Sequence, residues 1–139
     1  MGLEAGKIHV VVNDVPLLEF DRSKPVPGQQ RRYLDNMDAQ MAQGIEINGE
    51  KIKKPDSMQR SQFVANSMIN ALFTENYSIA IAMCTWLGER IPQLKQVQAK
   101  GDIKTEMRVD LIFDRSYEQS KTEQAIKFHR PTTTDQSIT

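Results

Sequence analysis

A single cysteine, Cys84, stands in a chain of 139 residues, which excludes an intramolecular disulfide framework and any multi-cysteine metal cluster. The two histidines, His9 and His129, fit no HxxxH or CxxC spacing, so the chain carries no zinc signature. Neither GxxxxGK[ST] nor GxGxxG occurs, and the seven glycines are scattered as turn residues, which removes the familiar phosphate cradles. Charge of one sign is not in excess. Eighteen Lys+Arg balance eighteen Asp+Glu, so neither a polybasic arm nor an acidic tail dominates. No apolar run reaches the 18 or more residues that a membrane-spanning helix needs. The opening segment MGLEAGKIHVVVND lacks a basic n-region and a signal-type cleavage site, and the expected setting is reducing and cytoplasmic.

The side chains that usually carry catalysis are thinly spread. His9 sits among valines on a presumed strand, where a structural role is the default. His129 falls in a polar terminal stretch, where a proton transfer is hard to preorganise. Cys84 is flanked by Ile81, Ala82, Met83, Thr85 and Trp86, an apolar setting that raises a thiol pKa and marks a buried, unreactive residue. The near pairs Asp35/Asp38 and Glu46/Glu50 fit solvated faces better than an acid–base pair. Met37 and Met41, four apart, fit core filling.

What is present is periodicity. KIHVVV and VPLLEFD, separated by Asn13-Asp14, predict an N-terminal hairpin. A two-residue turn sets Val12 opposite Val15, Val10 opposite Leu17 and Ile8 opposite Glu19 on one side, with Val11 beside Pro16 and His9 beside Leu18 on the other. Both sides are then substantially apolar, and Phe20 lies beyond. A connector, RSKPVPG, leads to a helix over 29–43, where Tyr33, Leu34, Met37 and Met41 share a face and Gly44 ends it. Asn48-Gly49 predicts a second, short hairpin. Asp56 with Gln59 resembles a capping box before an amphipathic helix whose pattern stumbles at Thr74-Glu75-Asn76. YSIAIAMCTWL predicts a buried helix ending near Gly88, a strand being the alternative. Pro92 starts a short further element that passes Leu94 and Val97 and stops at Gly101. From Ile103 to Phe113 apolar residues take every second position, with Lys104, Glu106, Arg108 and Asp110 between, as in a long strand with one buried face.

These elements predict a soluble α+β fold. An antiparallel sheet, built from the N-terminal hairpin and the long C-terminal strand, packs against two or three central helices. Residues 1–116 form the single domain and 117–139 a flexible tail. The functional expectation is a non-catalytic interaction protein, a homo-oligomer or an accessory subunit, whose partner is itself or another protein subunit. Its candidate contacts are Val11, Leu18, Phe20, Trp86 and Arg90. No cofactor or metal is expected. One alternative is a small ligand-binding or enzymatic domain with an apolar pocket between sheet and helices, lined by Phe73, Tyr77, Met83 and Trp86. The other is nucleic-acid binding through a modest basic patch of Lys51, Lys53, Lys54, Lys95 and Lys100. Interspersed acids and the lack of an aromatic platform weigh against it.

Overall fold

Asn13 and Asp14 take φ values of 47° and 69°, the left-handed pair that a two-residue I′-type hairpin turn requires. They join β1 (Lys7–Val12) to β2 (Val15–Asp21) in a computed structural model that describes residues 6–24, 26–102 and 104–120. The expected register holds only beside the turn, for Val12 with Val15 and Val11 with Pro16. A bulge between Val10 and Val11 then sets Val10 opposite Leu18, His9 opposite Glu19 and Ile8 opposite Phe20. The displaced residue, Leu17, is left exposed, while Leu18 and Phe20 turn to the same face as Val10 and Ile8 and pack on the core.

Three helices follow the expected spans closely: α1 (Gly28–Ala42), α2 (Ser57–Phe73) and α3 (Tyr77–Arg90). Between α1 and α2 lies a separate two-stranded sheet, β3 (Ile45–Ile47) and β4 (Glu50–Ile52), turned by Asn48 at φ 51° and Gly49 at φ 83°. The capping box forms as its sequence implies. Gln59 N–H donates to Asp56 Oδ1 at 2.8 Å and Asp56 N–H donates to Gln59 Oε1 at 2.9 Å. Glu75, at φ 60°, is the left-handed residue that ends α2 and lets α3 fold back beside it. The segment from Tyr77 is therefore a helix and not a strand, with Ala80, Cys84, Trp86 and Leu87 buried.

The sheet departs from the antiparallel expectation. Its order is β2-β1-β5-β6, where β5 (Gln96–Asp102) and β6 (Glu106–Ile112) are the last two strands. β5 inserts between the hairpin and the final strand and runs parallel to β1, so β6 pairs with β5 and not with the hairpin. The sheet is mixed because the chain crosses over through α1, α2 and α3 before returning. β5 escapes sequence analysis because its only large apolar side chain is Val97. Val97 and Ala99 face the core fully buried, and Gln96, Gln98 and Lys100 alternate with them. The expected strand over 103–113 is shorter than its pattern, since residues 104 and 105 form the turn that precedes β6.

One layer of helices covers one face of this sheet. Ile8, Val10, Val12, Val97 and Ala99 meet Val64, Met68, Ile69, Cys84 and Leu87, with Leu18, Phe20, Val109 and Leu111 closing the sides. Phe20 lies so near α3 that a Cβ on Gly88 would overlap its ring. Arg22, just beyond β2, reaches the C-terminal end of α3. Its Nη2 donates to the carbonyls of Ile91 at 2.8 Å and Leu94 at 2.7 Å, and its Nε to Gly88 at 3.3 Å.

Candidate interaction surface

Strand alternation puts the even-numbered residues of β5 and β6 on the sheet face turned away from the helices. There Gln96 lies opposite Ile112, Gln98 opposite Asp110 and Lys100 opposite Arg108, while β1 adds His9 and Val11. Residues 114–120 cross one end of this face, and 117–120 begin a helix. Ser116 and Gln119 cap it reciprocally: Ser116 N–H donates to Gln119 Oε1 at 2.8 Å, and Gln119 N–H to Ser116 Oγ at 3.2 Å. That S-x-x-Q signature is present in the sequence and is the signal that would have revealed the element. The expected tail thus begins with a helical turn resting on the sheet. Its remainder, 121–139, lies outside the described residues.

A chain of amides ties this turn to the sheet. Gln98 Nε2 donates to Gln96 Oε1 at 2.9 Å, and the fully buried Gln96 donates in turn to Ser120 Oγ at 2.9 Å and the Arg115 carbonyl at 3.3 Å. His9 is buried beside it, its ring 5.1 Å from that of Tyr117, with Nε2 3.4 Å from Glu19 Oε1 and 3.5 Å from Glu118 Oε2. His9 Nδ1 and Gln98 Oε1 are buried with no hydrogen-bond partner among the described residues. Lys7 holds the exposed Glu19 carboxyl below its ordinary range by hydrogen bond and charge, at 3.0 Å.

Beside this row the face opens into a groove of about 700 Å³. Gln98, Lys100, Arg108 and Asp110 form its floor, and Asp114 and Arg115 stand on its wall. Both signs of charge are present throughout. Asn13 pins one end, accepting from Gly101 N–H and donating to Gly101 C=O, both at 2.9 Å. Gly101 is required there: its φ is 125°, and a Cβ would collide with the Glu106 carbonyl.

The sheet has two edges and they differ. β2 carries Pro16, which has no N–H to offer, and the bulge at Leu17, both devices that discourage edge pairing. β6 has neither. The Ala99 carbonyl accepts from Asn13 N–H at 2.8 Å, so the backbone of Ala99 faces β1 and its partner Val109 faces outward, as do Met107 and Leu111. Among the described residues one side-chain hydrogen bond reaches this edge: Gln62 Nε2 of α2 donates to the Val109 carbonyl at 3.0 Å, leaving the second lone pair of that oxygen.

The residues proposed from sequence for partner contact occupy several places. Val11 is buried on the polar face of the sheet, and Leu18 and Phe20 are half-buried against the helix layer. Trp86 and Arg90 come together at the α1–α3 joint. The indole N–H donates to Asp38 Oδ1 at 2.8 Å, and Arg90 bridges Asp38 and Asp35, each at 2.9 Å. Lys100 lies in the groove, Lys95 just before β5, and Lys51, Lys53 and Lys54 on and after β4 in the smaller sheet. Among the residues proposed to line a pocket, Trp86 is buried while Phe73 and Tyr77 are exposed. Met83 borders a cavity of about 490 Å³ between β3 and the helices. Burial pushes the Cys84 thiol up to about 12, so it is no nucleophile at neutral pH. Among the described residues no three His, Cys, Asp or Glu side chains are placed to hold a metal ion, and no helix is long and apolar enough to cross a membrane.

Comparison with protein-family models, with curated proteins and with solved structures finds no match.

Proposed function

We propose that this chain is a non-catalytic interaction protein, a homo-oligomer or an accessory subunit of a larger assembly, which engages its partner through the β6 side of the sheet. The observation that carries this is the asymmetry of the edges. β2 is blunted by Pro16 and a bulge, whereas Met107, Val109 and Leu111 of β6 direct backbone donors and acceptors outward beside a charged groove. Nucleic-acid binding draws less support, because Lys100, Arg108 and Arg115 in the groove stand among Asp14, Asp110 and Asp114.

Light scattering on the full chain across the micromolar range, together with its elution from native extract, tests this. A mass above the 15.9 kDa monomer is expected in at least one setting. A monomer in both overturns it.

A further inference from the structure

The β6 edge specifies a partner. Val109 is the midpoint of β6, so two copies of the strand laid antiparallel overlap fully only when Val109 meets Val109 of the other copy across a two-fold axis. In that register Arg108 of each copy stands opposite Asp110 of the other, and Met107 opposite Leu111. The outward backbone groups of Met107, Val109 and Leu111 fall at the hydrogen-bonded positions of the new ladder. Arg108 and Asp110 fall at the non-hydrogen-bonded positions, where facing side chains come closest. Both side chains are available, 79% and 42% exposed, and they already pair within one chain at 3.0 Å, so the second copy finds them extended on the groove floor.

We infer that the chain forms a two-fold dimer by antiparallel β6–β6 pairing, making one continuous eight-stranded sheet locked by two reciprocal Arg108–Asp110 pairs. This rests on the interaction function proposed above and names its partner as a second copy. A backbone ladder supplies the affinity and the charge pairs set the register. Seven facing residues make a small interface of the transient class, so the dimer builds up with concentration in the micromolar range.

Sedimentation equilibrium on the full chain and on R108D, D110R and R108D/D110R tests the proposal. Each single reversal sets like charges opposite one another twice and weakens dimerisation about tenfold or more, while the double variant restores it. Independent of charge, Cα atoms at such a non-hydrogen-bonded pair lie about 4.5 Å apart, within disulfide reach. Under mild oxidation an equimolar mixture of R108C and D110C chains should therefore cross-link more than either variant alone, with Cys84 buried and silent. A monomeric wild type, a dimer indifferent to the single reversals, a double variant that fails to recover, or a mixture that cross-links no better than its components overturns the proposal. A dimer that ignores the reversals still leaves the interaction function standing through another face. A monomer that enters a larger assembly in native extract does the same.

Discussion

Cys84 shows how one residue's surroundings set its chemistry. Its thiol is held neutral by burial, with a folded-state pKa of about 12 against an ordinary 9.0, and the guanidinium of Arg22 offsets only part of that. Because the folded value is the higher one, the stability contributed by the neutral thiol is complete below about pH 9 and is lost as pH rises toward 12, where the unfolded chain releases the proton first. Between about pH 8 and about pH 10, wild type should lose about 1.4 kcal/mol more than Cys84→Ala, read from urea unfolding at the two pH values. Equal slopes would refute this. The burial of Cys84 was legible in the sequence, since Ile81, Ala82, Met83 and Trp86 surround it along the chain. The use of Trp86 and Arg90 was not. Their partner Asp38 lies 48 and 52 positions away, and an exposed-looking carboxylate on α1 gives no sign of an indole waiting for it.

At the scale of elements, local chemistry decides starts, stops and turns. Asn13-Asp14, Asn48-Gly49 and the Asp56–Gln59 box all act within four residues, and each appears where the sequence places it. The joints between elements are another matter. Arg22 ties the end of β2 to the C-terminal end of α3 by donating to the carbonyls of Gly88, Ile91 and Leu94, of which that of Ile91 also accepts Leu94 N–H at 3.1 Å, a charged cap at the negative end of the helix dipole. Removing a charged donor from part-buried acceptors costs about 1.5–3 kcal/mol, so Arg22→Met should lower the unfolding free energy by that amount. Arg22→Lys should recover only a fraction, because one ammonium cannot reproduce the fork. Chemical denaturation measures both, and an unchanged midpoint for Arg22→Met would remove the cap from the account. In sequence Arg22 opens a proline-containing connector, and nothing near it reveals that its acceptors lie more than sixty positions downstream.

For the molecule as a whole, the insertion of β5 matters most. It makes β5 and β1 the central strands and leaves β2 and β6 as edges. Amides of β5 and β1 should therefore exchange with solvent only on global unfolding, while those of β3 and β4, a two-stranded sheet of three residues a side, exchange through local opening. Native-state hydrogen exchange measures the difference, and β5 amides exchanging as fast as those of β4 would contradict this layering. The amino-acid sequence by itself determined the α+β class, two hairpins, the helices α1 and α2 and the burial of Cys84, because dihedral preference, capping and hydrophobic period act over a few residues, while the segment from Tyr77 stayed open between helix and strand. It left open which strands are neighbours. Only the tertiary structure decided that the polar QVQAKGD is the second central strand, that a bulge at Leu17 turns Leu18 and Phe20 to the core, and that β6 is an edge strand of the described sheet. Those choices depend on which surfaces must be buried together once α1, α2 and α3 cover one face, and a pattern read along the chain carries no record of that.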